Sequence, residues 1–146
     1  MSIYDPCGYL GNFMIFTKLL MPAVWKSIIG WDEPVPHELF TRWKSWFKEF
    51  ENIKGFPTPR CYSQHLFKAD NIQLHVFVDA SSNVGVAYLR VEYCGAVDIA
   101  FVSAKTRCIT KSMSIPRLEL QAAVLGCRLS VAIATAHDLR LSETLY

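Results

Sequence analysis

The feature that most constrains this chain is a change of hydrophobic period. From Ile72 to Ser103 apolar residues recur at every second position, and from Ile115 to about His137 they recur at helical spacing. Ile72–Asp79 sets Leu74, Val76 and Val78 on one face and His75, Phe77 and Asp79 on the other. Val84–Tyr93 and Ala96–Ser103 read as two further strands, joined through the polar turn Ala80–Asn83 and the tight Cys94-Gly95 connection. Links this short join antiparallel neighbours, so the three segments predict an antiparallel meander. After a polar loop at 104–114, Leu118, Ala122, Leu125 and Leu129 keep a helical stripe, with Pro116 suited to the helix start. Leu139–Tyr146 reads as the beginning of a fourth strand. The fold class is α/β.

The first half is patterned differently. Asp5-Pro6-Cys7-Gly8 is turn chemistry, and Phe13–Leu20 leads through Met21-Pro22 into a second apolar segment, Ala23–Ile29, closed by Gly30. Asp32–Pro36 is a rigid connector, because each proline disfavours helix at the residue before it. His37–Asn52 is the clearest helix of this half: Leu39, Trp43, Trp46 and Phe50 fall at steps of four, three and four. Phe40 and Phe47 widen that stripe. So large an apolar load either packs on its own domain or serves as a docking face for a neighbour. Ile53–Asn71, with Gly55, Pro57 and Pro59, reads as a linker. The division expected is a helical connection segment over 1–70 and a second domain over 71–146.

Composition narrows the function classes. At 51% hydrophobic and 19% charged, the 146-residue chain has enough apolar surface to fold, which excludes disorder as its main state. The formal charge is +2 and both halves are balanced, so any nucleic-acid footprint must be local. The five cysteines contain no C-x-x-C pair, which supports neither a zinc ribbon nor a redox motif and fits scattered thiols in a reducing compartment. Phe13–Trp31 is apolar but interrupted by Lys18 and Lys26, and the N-terminus lacks a signal-peptide pattern. No membrane partner and an intracellular location are therefore expected, in cytoplasm or nucleus.

Two acids stand where chemistry is available. Asp79 ends an apolar strand beside the small residues Ala80 and Ser81, and Glu119 lies in the early turns of the long helix near Ala122, Ala123 and Gly126. Either alone has an ordinary explanation, as a turn cap or as an acid favoured by the helix dipole. Between Ser103 and Leu118 the four bases Lys105, Arg107, Lys111 and Arg117 occur without an acid, so a phosphate contact and a solvated loop are both open readings. Ser81, Ser82 and Ser112 are better explained as polar turns than as backbone contacts. The four histidines form no ligand pattern.

An Asp-led meander followed by a helix with an early Glu resembles the ribonuclease H fold. The words carried on it resemble the ribonuclease H-like region of BEL/Pao-type LTR retrotransposon Pol polyproteins. They are Tyr4–Leu10 (YDPCGYL), Lys18-Leu19-Leu20, Gly30–Pro34 (GWDEP), Pro59–Tyr62 (PRCY), Leu74–Ser81 (LHVFVDAS) and Ile115–Ala123 (IPRLELQAA). They run in family order over nearly the whole chain. The resemblance implies that residues 1–70 follow a reverse transcriptase domain in cis. It also implies that 71–146 are the N-terminal half of a truncated ribonuclease H-like domain, a partial fold of meander, long helix and incipient strand. Asp79 then matches the first catalytic carboxylate and Glu119 the second, both as metal ligands. The implied substrate is an RNA–DNA hybrid in the intact polyprotein.

That chemistry is an in-line displacement at phosphorus assisted by two ions about 4 Å apart, for which Mg²⁺, with Mn²⁺ as substitute, takes carboxylate oxygens. The family needs a third acid ending the next strand and a further ligand beyond it. The acids after Glu119 are Asp138 and Glu143, and neither matches such a position. Ribonuclease H-type endonuclease activity is thus implied by resemblance, while the chain as it stands is expected to be inactive and to bind metal only if the site is completed.

Two rival readings stay open. The similar family has also been labelled an aspartic-type retrotransposon peptidase, but such an enzyme needs Asp-Thr/Ser-Gly, and here the triplet is Asp79-Ala80-Ser81. The other rival is a non-enzymatic transposon-derived interaction module acting through the Trp43/Trp46 helix.

Overall fold

A computed structural model describes residues 4–53, 55, 57–80, 84–107 and 113–146. Packing divides the chain into two compact units, one of the N-terminal segment through Gly11 with Pro59–Tyr146, the other of Asn12–Thr58. The sequence readings at Ser81, Ser82, Asn83, Cys108, Lys111 and Ser112 lie outside the described residues.

The first unit is a four-stranded mixed sheet with one long helix against it. The strands are β1 (Asn71–Asp79), β2 (Val84–Tyr93), β3 (Ala96–Thr106) and β4 (Glu143–Leu145), in the spatial order β3-β2-β1-β4. β1–β2 and β2–β3 pair antiparallel, as the short connections predict, and β4 pairs parallel to β1 from Gln73↔Glu143 to His75↔Leu145. Alternation decides the core: Leu74 and Val76 of β1 and Ala87, Leu89 and Val91 of β2 are all buried on one face. Val102 of β3 joins them. The register against β2 slips at that residue, since Ala87 faces Ser103 while Tyr88 faces Phe101.

The long helix, Ile115–Ala136, closes this core through Leu129 and Ile133. Gly126 is required for the approach: a Cβ there would lie 2.6 Å from Val78 Cγ1 and 3.5 Å from Val76 Cγ1. By length and composition this is the one helix among the described residues able to cross a bilayer. Its Ala122–Ile133 face is instead spent on the sheet.

Two departures from the sequence reading belong to this unit. Residues 59–70, read as linker, pack: Tyr62, Leu66 and Ala69 lie against the core. Their contacts come from single side chains on a short 3₁₀ turn (Leu66–Lys68), which leaves no periodic signal. Ser63 is buried there, donating to Asp98 Oδ2 at 2.6 Å while its Oγ accepts from the His65 amide at 3.0 Å. The second departure is β3, which runs on to Thr106, so Lys105 is a strand residue rather than part of a loop.

The YDPCGYL word also acquires a physical role. Asp5 accepts hydrogen bonds from the Tyr9 and Leu10 amides at 3.0 and 2.9 Å, and the Cys7 carbonyl accepts one from Ala104 of β3 at 2.8 Å. Gly8 has φ +78°, and a Cβ on it would stand 2.0 Å from the Ala104 carbonyl oxygen. The turn therefore straps the edge strand, occupying a backbone amide that an edge leaves open.

In the second unit, α1 (Gly11–Lys26) is one helix that carries Pro22 inside it rather than two segments. It ends in a turn at Ser27, with Ile28 rather than Gly30 in the left-handed region, at φ 51°. Gly30 is held otherwise, its amide donating to Glu33 Oε2 at 3.1 Å. α2 (His37–Phe50) follows the connector and passes into a 3₁₀ turn, Glu51–Ile53. The Ile115–Ala136 helix is α3. On α2 the aromatic stripe splits. Trp46 stacks on Phe13 at 4.8 Å and its indole N–H donates to the Phe13 carbonyl at 3.0 Å. Phe40, Trp43 and Phe47 stack on one another and stay exposed.

Candidate functional site

Topology brings the two candidate acids to one end of the sheet. α3 starts beyond β3, whose last residue, Thr106, lies in one row with Val84 and Asp79. Its far end leads to Ser142, whose amide donates to the Ile72 carbonyl at 2.8 Å, beside the start of β1. The helix therefore runs against β1, and Glu119, two turns before Gly126, lies toward the Asp79 end. Asp79, the last residue of β1, is exposed and engaged in an interaction within the chain. Glu119 is exposed in the second turn of α3.

The donor set fits a hard divalent cation in kind, since both side chains offer carboxylate oxygens. It falls short in number. Among the described residues no group of three or more His, Cys, Asp or Glu gathers to hold a metal. Asp79 and Glu119 would hold such an ion from one side, where it would supply an activated water and stabilise the leaving oxygen. Asp138 and Glu143 are remote from this end: Asp138 follows α3 and Glu143 opens β4 beside Gln73, near the start of β1.

The candidate bases separate. Lys105 and Arg107 are exposed at the end of β3, and Arg117 is exposed in the first turn of α3. That turn contains no acid, so Arg117 sits against the helix dipole, where an anion is favoured. Lys111 lies outside the described residues. Arg107 also lines a cleft of about 240 Å³ with Arg128, Gln121 and the apolar Leu120, Val124 and Leu125. Arg128 escaped the sequence reading. Its signal was available: it is the one charged residue between Leu120 and Ala136.

His65 and His137 serve packing. His65 stacks on Tyr93 at 4.6 Å, and His137 Nε2 lies 3.2 Å from the Tyr62 hydroxyl with the rings edge-on. Burial, followed by the nearby Cys7 charge, pushes the Tyr62 and Tyr9 phenols above their ordinary values. The described cysteines, Cys7, Cys61, Cys94 and Cys127, are all free thiols.

No curated protein and no solved structure matches the chain. The family model described as "Pao retrotransposon-like RNaseH-like domain" matches residues 1–146. With a mixed sheet of order β3-β2-β1-β4 and its acid-bearing strand and helix, the chain belongs to the Pao retrotransposon-like RNase H-like domain family.

Proposed function

We propose that this chain is a region of a retrotransposon Pol polyprotein that engages RNA–DNA hybrids and contributes Asp79 and Glu119 to cleavage of the RNA strand. The observation that carries the reading is the shared end of the sheet, where these acids lie with Arg107 and Arg117 nearby in the chain topology. Cleavage needs further acids, so the isolated chain binds the hybrid without cutting it. Mg²⁺ or Mn²⁺ is the cofactor of the completed site, and the reverse transcriptase domain is its neighbour in cis. Hybrid duplexes are recognised by backbone shape and 2′-hydroxyls, which agrees with bases and no base-reading motif.

The test is a labelled RNA–DNA hybrid titrated with the purified chain, followed by incubation with Mg²⁺. Binding without cleavage is expected. Metal-dependent cleavage abolished by Asp79→Asn would overturn the inactivity of the isolated chain, and absence of binding would overturn the hybrid reading. A contact role is favoured separately by the exposed Phe40, Trp43 and Phe47 on α2. On that reading the isolated chain self-associates, and the double variant Trp43→Ser/Phe47→Ser raises the monomer fraction in sedimentation velocity.

A further inference from the structure

We propose that the cleft between the end of β3 and the outer side of α3 is a seat for one backbone phosphodiester of a nucleic-acid strand, gripped by Arg107 and Arg128. The inference rests on the hybrid-binding reading and adds Arg128 to it, as a backbone contact flanking the carboxylate end.

The two guanidiniums come from different elements and line the same hollow of about 240 Å³, and no carboxylate lines it among the described residues. Neither has an ion-pair or hydrogen-bond partner among the described residues. Two like charges facing one cleft repel until an anion lies between them. The planar fork of arginine suits a phosphate's paired oxygens, and Leu120, Val124 and Leu125 give the hollow apolar walls beside the two guanidiniums.

Arg128 by itself has a simpler explanation: its stem covers apolar helix surface while the charge turns to water. That explanation accounts for neither the convergence with Arg107 nor the lack of an acid in the hollow.

Position fixes the role. Thr106 is two strands across from Asp79 in one row, which is roughly 10 Å at ordinary strand spacing. Arg107 follows it directly. A phosphate seated here belongs to the backbone flanking the carboxylate end, so Arg128 is a binding residue and not a catalytic one.

The experiment titrates the whole chain against a short fluorescein-labelled RNA–DNA hybrid in EDTA across a KCl series, so no metal contributes. Arg128→Gln should weaken binding roughly three- to tenfold and reduce the slope of log K against log salt by about 0.9. Arg107→Gln/Arg128→Gln should reduce it by about 1.8. Arg140→Gln, which removes the same charge beside the start of β1, controls for net charge and should leave the slope unaltered. Melting curves matching wild type show that the variants fold.

If Arg128→Gln behaves as Arg140→Gln while the wild type binds the hybrid, the seat is wrong and the hybrid reading stands. If the wild type binds no hybrid, both fall. Orthophosphate at matched ionic strength should not displace the strand. Displacement by it would make the free anion the ligand and overturn the strand assignment.

Discussion

Leu74 and Leu89 in the sheet unit are fully buried, whereas Trp25 and Trp31 in the Asn12–Thr58 unit are 72% and 99% exposed. Both units are rich in large apolar side chains, but the geometry available to them differs. Three paired strands offer a continuous apolar face, and one helix lying across it completes a two-layer core. In the Asn12–Thr58 unit Leu20 alone is buried among the described residues, and the aromatics of α2 are satisfied largely by stacking on Phe13 and on one another. Apolar content does not by itself make a core; opposing layers do.

The sharpest way to break that contrast is to truncate one residue of each kind. Leu89→Ala, at the centre of β2, should cost about 2–5 kcal/mol, because the sheet and α3 can only partly close the cavity. Chemical denaturation followed by circular dichroism reads it. A loss under about 1 kcal/mol would mean that the sheet unit is packed no more tightly than the helical one.

Next in size is Gly8→Ala. The added Cβ meets a backbone oxygen, and φ +78° is unfavourable for alanine, so the strap should detach at a cost of about 1–3 kcal/mol. Hydrogen exchange locates the effect. The Ala104 amide, which donates to Cys7, should exchange faster, while the Leu89 amide in the middle of the sheet is slowed or accelerated only as global stability dictates.

How far such features were legible follows from the same contrast. The meander and the long helix were readable because burial imposes a period on Leu74/Val76 and on Ala122/Leu129 alike, and α2 because its aromatics recur at helical spacing. The strap and the Tyr62–Ala69 packing were not, since a carboxylate capping two amides and isolated side chains have no period. Nor was the continuity of α1 through Pro22, where a helix holds despite a local rule against it. In the site, Asp79 and Glu119 were singled out by position and type. Arg128 stands out in the sequence as the lone charge on that stretch of α3, but only the fold shows that it reaches the hollow entered by Arg107.

Trp43→Ala should change stability by no more than about 0.5 kcal/mol, despite the size of the side chain removed. Its ring is 45% exposed and stacks on Phe40 and Phe47, which are themselves exposed. A loss comparable to that of Leu89→Ala would show that this stripe is buried in solution.

The smallest effect concerns a charge on the sheet unit. Glu92 pairs with Arg90 and accepts from Asn71 Nδ2 at 3.1 Å. Those hydrogen bonds, Arg90 first, hold its carboxyl below the ordinary value of 4.5. A carboxyl depressed in the folded state adds stability above its unfolded pKa and loses it as pH falls through the folded one. The wild type should therefore weaken on acidification below about pH 4.5, and Glu92→Gln should weaken less steeply there. The pair is partly exposed, so the difference should shrink further in high salt. Melting temperatures across an acid series at two salt concentrations read both slopes. Identical acid limbs for the two proteins would place the pH sensitivity in other carboxylates.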